Sequence, residues 1–233
     1  MKTIGLIGGM SWESTGEYYR LLNESVHDRL GGFHSAKCVL VSVDFAEIEI
    51  LQSENRWQEA AQVMVAAARQ LEKAGADVIV LCTNTMHKCA PEIQNATSIP
   101  FLHIADATAL EVKTQNMTRV GLLGTRFTME ESFIKDRLAD SFGLSVLVPN
   151  PAEREQIHRI IYDELVHGVI LEESRQVYVG IIDSLIERGA QGIILGCTEI
   201  GLLIRQADTS VPVFDTTLIH AQAAVDFSLG NPG

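Results

Sequence analysis

Positive charge is in short supply in this chain. Lysine and arginine number 18 against 30 aspartates and glutamates, a formal net charge of −12. That balance disfavours binding to a phosphate backbone, and no nucleic-acid partner is expected. Long apolar runs are missing too: none approaches the roughly 20 residues that a membrane-spanning helix needs, so no membrane partner is expected. Met1 and Lys2 lead straight into an apolar stretch rather than a charged-then-apolar leader, which points to the cytoplasm. Cysteine is scarce. Cys38, Cys82, Cys89 and Cys197 fall at irregular spacings, which suits a reducing compartment better than a disulfide framework. Only Cys89 and His87 come near metal-ligand spacing, and an ordinary helix start explains that pair better than zinc does. The G-x-G-x-x-G fingerprint is absent after the first apolar run, so a nucleotide is not expected either.

What is present is a repeat. The chain has 233 residues, 46% of them hydrophobic, enough for one large domain or two small ones with proper cores. Residues 74–85 and 188–199 align without a gap: Ile79 with Ile193, Leu81 with Leu195, and Thr83 with Cys197, an offset of 114. Thr3-Ile4-Gly5-Leu6-Ile7-Gly8 matches Arg119-Val120-Gly121-Leu122-Leu123-Gly124 at 116, and Ile99-Pro100-Phe101-Leu102 matches Val211-Pro212-Val213-Phe214 at 112. Three anchors in one order indicate two homologous half-chains. Apolar strands ending in glycine would explain one such match, but not three.

Each half reads as alternating strands and helices. In the first, apolar runs at 3–7, 39–43, 78–81 and 99–103 are strands, and 17–30, 57–73 and 105–113 are helices by periodicity and stop signals. In the second, strands are expected near 120, 145, 193 and 213, with helices at 130–141, 153–167 and 174–188. A last helix, 217–227, is expected to pack back on the first half. The fold class is therefore α/β: two similar parallel-sheet lobes related by a pseudo-twofold, 1–107 with 216–233 and 108–215.

In open parallel sheets ligands sit beyond the carboxyl ends of the strands. Thr83 and Cys197 both fall there. Two lobes facing these ends at each other would make a cleft with one of the two residues on each wall. A thiol beside backbone N–H groups at a helix start is expected to have a lowered pKa and to be partly thiolate. No histidine flanks Cys197 as a nucleophile's base would; His167 and His220 are the nearest in its half. The repeat instead suggests two small polar groups on opposite faces of one substrate, one taking a proton and one returning it. The alternative for Cys197 is a buried small hydrophobe.

Gly8-Gly9-Met10-Ser11-Trp12-Glu13-Ser14, Thr83-Asn84-Thr85-Met86-His87 and Gly196-Cys197-Thr198-Glu199 together resemble the aspartate/glutamate racemase family, in particular its aspartate racemase branch. The resemblance spans essentially the whole chain. It implies two α/β lobes, a cleft between them, no pyridoxal phosphate or metal, in many members a homodimer, and racemisation of a small amino acid by two bases acting on the α-proton. It further implies that Cys197 serves the L-enantiomer. Asn84, Thr85 and Thr198 are then donors to the substrate carboxylate, with Met10 and Ser11 approaching the same group. Glu199 would hold the ammonium or modulate Cys197, His87 would support the site, and Gln52 would reach the side-chain pocket. Each also has a plainer reading, as a helix cap or first-turn residue.

The chain departs from the family where members usually carry Cys-Asn-Thr. Here the first residue is Thr83, and Cys82, one step earlier in a strand, should point to the opposite face. A hydroxyl is a far poorer base than a thiolate, so Thr83 is expected to limit the D-face step. A cation for a distal carboxylate is also hard to place: 44–52 holds no Arg or Lys, nor does Glu164-Leu165-Val166-His167, leaving Arg56, Lys88 and Arg126. Specificity is therefore expected to be broad, taking aspartate, glutamate or neutral polar amino acids such as homoserine. Competing readings are a related Cys-dependent isomerase (hydantoin racemase, maleate isomerase or arylmalonate decarboxylase) and a sensor module that binds an amino acid without turning it over.

Overall fold

The computed structural model describes residues 1–230. It divides into two compact units, Met1–His103 together with the chain from His220 onward, and Ile104–Ile219.

In the first unit β1 (Ile4–Gly8) leads to α1 (Trp12–Leu30), β2 (Cys38–Ser42), α2 (Phe45–Ser53), α3 (Trp57–Lys73), β3 (Val78–Leu81), α4 (Ala90–Ala96) and β4 (Phe101–Leu102). The second has α5 (Ile104–Thr114), β5 (Arg119–Gly124), the short α6 (Arg126–Glu130) and α7 (Ser132–Asp136), and β6 (Ser145–Leu147). It continues through α8 (Pro151–Asp163), α9 (Glu172–Glu187), β7 (Ile193–Gly196), α10 (Ile200–Leu203) and β8 (Val213–Asp215). Helix α11 (Thr216–Leu229) begins in this unit and ends in the first.

Both sheets are parallel and four-stranded, ordered β2-β1-β3-β4 and β6-β5-β7-β8. Their registers repeat as well. Gly5 pairs with Ile79 and Ile7 with Leu81; Gly121 pairs with Ile193 and Leu123 with Leu195. Ile79 opposite Phe101 has its counterpart in Ile193 opposite Val213. The sequence offsets are thus structural equivalences, and Thr83 and Cys197 occupy the same place in the two sheets.

Each sheet is covered on both faces, which is why β1, β3, β7 and, after the exposed Arg119, β5 are continuously apolar rather than alternating. Along β1 and β3, Leu6, Val80 and Cys82 pack with Tyr18, Leu22 and Val26 of α1 and Ala221, Ala224 and Val225 of α11. Ile7, Ile79 and Leu81 face Ile48 of α2 and Met64, Ala68 and Leu71 of α3. In the second unit Leu122 and Ile194 pack with Ala105, Ala109 and Val112 of α5, and Leu123 and Leu195 with Ile160 of α8 and Tyr178 of α9. Full burial of such a Leu or Ile contributes about 1.5–3 kcal/mol. The strand ends, and so the side chains beyond them, are held by both layers.

Several elements differ from the sequence expectation for local reasons. Helix α1 starts at Trp12 rather than near 17, because Ser11 caps it by accepting from the Ser14 N–H at 3.2 Å; Gly16 in its second turn hides the start. The stretch after β2 is itself a helix, α2, capped by Asp44, with Ile48 and Gln52 four apart on its buried face. The single helix expected over 130–141 is α6, α7 and a five-residue π-turn, Arg137–Ser141. Helix α8 ends at Asp163, and a separate 3-10 turn, Leu165–His167, follows.

Candidate active site

In the first unit the residues beyond β1 form a tightly tied turn. Gly9 adopts φ +94°, and a Cβ there would lie 2.1 Å from the Val43 carbonyl oxygen, so only glycine fits. Its N–H donates to Thr15 Oγ1 at 2.8 Å, and Thr15 Oγ1 donates to the Ser11 carbonyl at 2.7 Å. Met10 and Ser11, joined by a cis peptide bond, are both buried. Gln52, on α2, is buried and donates from Nε2 to Met86 Sδ at 3.0 Å, and Met10 shares a core cluster with Met86 and Ile48. Met10, Ser11 and Gln52 therefore gather at the carboxyl edge of the first sheet.

Beyond β3 the chain turns at once. Thr83, Asn84 and Thr85 are buried, and Thr85 opens a 3-10 turn, Thr85–Cys89. The Thr83 carbonyl accepts from His87 Nδ1 at 2.7 Å. A carbonyl can only accept, so His87 carries its proton on Nδ1. The Thr83 hydroxyl has no hydrogen-bond partner among the described residues. Cys82 points the other way, into the α1 and α11 core, and burial pushes its thiol far up. Cys89 is also buried, its thiol pushed up to about 12 chiefly by desolvation.

Behind this turn lies a histidine cluster that sequence reading does not assemble. The His87 ring is 4.6 Å from that of His103 and 5.8 Å from that of His220, centroid to centroid. His220 Nε2 donates to the Leu102 carbonyl at 3.0 Å, and Tyr18 Oη donates to His220 Nδ1 at 2.8 Å. Burial lowers the His220 pKa to about 4, so the ring is neutral and structural at physiological pH. His87 thus belongs to the scaffold that holds the Thr83 backbone. Its signal in the sequence was only its spacing of four from Thr83.

In the second unit the equivalent turn follows β7. Gly124 and Gly196 pair across β5 and β7, and a Cβ on Gly124 would lie 2.7 Å from the Gly196 carbonyl oxygen. Glycine lets the two strands close up just before Cys197. Thr198 and Glu199 are buried beside it. Cys197 Sγ donates to Glu199 Oε2 at 3.1 Å, and Thr198 Oγ1 donates to the same oxygen at 2.7 Å. The N–H groups of Glu199 and Ile200 also face the sulfur.

These contacts overturn the expectation of a lowered Cys197 pKa. Burial raises it first, then the Glu199 charge and the hydrogen bond from the thiol to that carboxylate, and the two backbone N–H groups do not offset them. Helix α10 is only four residues long, so its dipole is small. The resting group is a thiol hydrogen-bonded to a carboxylate. Around it, Tyr178 Oη is buried without a hydrogen-bond partner among the described residues. Burial, Cys197, Glu164 and Glu199 all hold its phenol well above the usual range. Ser174 Oγ donates to Glu164 Oε2 at 2.5 Å. Thr83 and Cys197 are alike in exposure, 6% and 7%, but only the latter has an acceptor at hand.

A pH dependence follows from the direction of that shift. The reactive thiolate accumulates only as pH climbs through a value above the ordinary 9.0, so catalysed proton exchange should keep rising from neutrality to pH 9 without levelling. Glu199→Gln removes the anion that holds the thiol up, and should move that limb to lower pH. A pH–rate limb that stays in place in this variant would show that Glu199 does not control the sulfur.

Among the described residues, no group of three or more His, Cys, Asp or Glu side chains could hold a metal ion, and no helix is long and apolar enough to cross a membrane. Two α/β units share one strand order, and each ends its β1–β3 or β5–β7 pair in a small buried polar residue; comparison with known proteins supplies the class. The model of the Asp/Glu/hydantoin racemase family matches residues 7–224, and the chain belongs to that family. A Yersinia pestis protein whose crystal structure carries a provisional Asp/Glu racemase assignment is 56% identical, with a TM-score of 0.92 over 98% of this chain and 100% of that one. An aspartate racemase homologue from Pyrococcus horikoshii is 35% identical, with a TM-score of 0.86 over 98% and 100%. The broad-specificity amino-acid racemase RacX of Bacillus subtilis is 26% identical over 175 residues, 72% of this chain and 71% of that protein. The chain is accordingly an isomerase of the racemase type.

Proposed function

We propose that the protein racemises polar α-amino acids without a cofactor, with Cys197 and Thr83 acting on opposite faces of one α-carbon. The observation that carries this reading is the equivalence of the two residues in sheets of matching order and register. The Cys197 thiol loses its proton to solvent, the sulfur anion takes the α-proton of the L-enantiomer, and a carbanion stabilised by its own carboxylate forms. Asn84, Thr85 and Thr198 donate to that carboxylate, and Met10 and Ser11 approach it from the turn after β1. Return of a proton from Cys197 restores the L-form, and return from Thr83, directly or through a relayed water, gives the D-form.

The two directions of turnover remain tied, because enantiomers have an equilibrium constant of one. Equal kcat/KM values are required in both. Asymmetry between the two groups instead appears as exchange without inversion. The RacX relationship supports a broad substrate range, and the aspartate racemase homologue supports acidic substrates within it. A cytoplasmic homodimer belongs to the same proposal, supported by the family alone.

The reading is tested by α-proton exchange in deuterated buffer over a panel of L- and D-amino acids. Exchange into at least one acidic or neutral polar L-amino acid is expected. A protein that binds such amino acids with no exchange at any pH is a sensor module, and the racemase reading fails.

A further inference from the structure

One buried hydroxyl of the second unit has no use in packing. Tyr178 is fully buried on α9, and its Oη has no hydrogen-bond partner among the described residues. An unpaired buried hydroxyl is destabilising, and phenylalanine would fill the same space without that cost. Ser174, one turn earlier on α9, is engaged instead: its Oγ donates to Glu164 Oε2 at 2.5 Å.

The packing of α9 on its sheet sets where the phenol lies. A short turn at Gly189 separates α9 from β7, so helix and strand run in opposite directions. A Cβ on Gly121 would lie 3.0 Å from Leu185 Cδ1, and Gly121 is opposite Ile193, so Leu185 marks the level of Ile193. From there Tyr178 is seven residues back along the helix (185 to 178), about 10 Å. Cys197 is four residues on along the strand direction (193 to 197), about 13 Å. A helical tyrosine leans toward the helix N-terminus, which covers the difference. Both side chains belong to one core cluster with Leu195 and Ile200. The phenol is carried to the level of the sulfur.

The charged groups that act on it are Cys197, Glu164 and Glu199, the sulfur most strongly of the three. With burial, they keep its proton on, so Tyr178 stays an O–H donor while the sulfur ionises. The carboxylates already have donors: Cys197 and Thr198 on Glu199 Oε2, and Ser174 on Glu164 Oε2. Ionisation removes the bond from the thiol to Glu199 and leaves a sulfur anion faced by the N–H groups of Glu199 and Ile200. It needs a further donor against the adjacent carboxylate.

We propose that Tyr178 Oη is that donor: its O–H turns to the Cys197 sulfur when the thiol ionises and holds the anion while it takes the α-proton. Tyr178 is then a positioning residue for the base, unpaired at rest because its partner does not yet exist. This rests on the proposed role of Cys197.

The test is Tyr178→Phe, which removes the oxygen and keeps the ring. Melting temperature, alkylation of Cys197 by iodoacetamide at about pH 7 to 9, and α-proton exchange are compared with wild type. The variant should melt at the same temperature or higher. Loss of a hydrogen bond to a charged group should leave about 10- to 100-fold less thiolate at each pH. A more basic sulfur is also the better nucleophile, so alkylation of the Cys197 peptide should fall about 4- to 15-fold. The half-buried Cys38 should label as before. Exchange should fall by a similar factor in kcat, with KM within about twofold. Labelling of Cys197 at the wild-type rate overturns the assignment, and a lower melting temperature alongside it marks a hydroxyl that serves only the fold. Exchange that holds while labelling falls overturns it too, since the donor then plays no part in turnover. Labelling needs no substrate, so it decides the role of Tyr178 even where no amino acid exchanges and the racemase reading itself fails.

Discussion

Cys197→Ser is expected to lower α-proton exchange by about 10³-fold or more on every substrate, while leaving the protein folded and able to bind amino acids. Serine nearly conserves the volume of a side chain packed against Ile200 and Leu195, and its hydroxyl can still donate to Glu199. What it loses is basicity, since an alkoxide is out of reach at any pH the fold tolerates. The readout is deuterium wash-in at saturating substrate, with binding and circular dichroism confirming an intact protein. Exchange within about tenfold of wild type would move the base to another group, and Glu199, 3.1 Å from the sulfur, is the first to examine.

Thr83→Cys is expected to raise inversion by about 10²-fold with little change in exchange on the L-face. The Thr83 hydroxyl has neither a carboxylate beside it nor any other hydrogen-bond partner among the described residues, so nothing assists its ionisation. A thiol at the same place ionises several pH units lower than an alcohol. Polarimetry follows inversion and mass spectrometry follows exchange, and the two rates should converge in the variant. If inversion stays slow with a thiol at 83, the D-face step does not depend on this residue.

Much of this arrangement was legible in the sequence because parallel strands buried on both faces leave a continuous apolar record. Ile79 with Ile193 and Leu81 with Leu195 could be matched by eye, and the register later repeats the match. Cys82 and Thr83 could be told apart by strand alternation alone, and Cys82 does face the α1 core. Helix α2 was less visible, because Glu47 and Glu49 break its short apolar pattern.

The electrostatic character of Cys197 was not legible. Sequence shows Glu199 two residues away, but neither that its Oε2 meets the sulfur nor that burial dominates the balance. The expected gain from a helix start also presumed a helix longer than α10. The histidines at 87, 103 and 220 come together only through the fold, since α11 returns to the first sheet after the whole second unit has intervened.

The central claim is that a sulfur base and a much weaker hydroxyl address one α-carbon from its two sides. Wash-in of solvent deuterium, measured separately from pure L- and pure D-enantiomer of the same amino acid with wild-type protein, tests it most directly. The account predicts that the L-form exchanges at least about tenfold faster than the D-form, and faster than it inverts. Equal wash-in from the two enantiomers would contradict it.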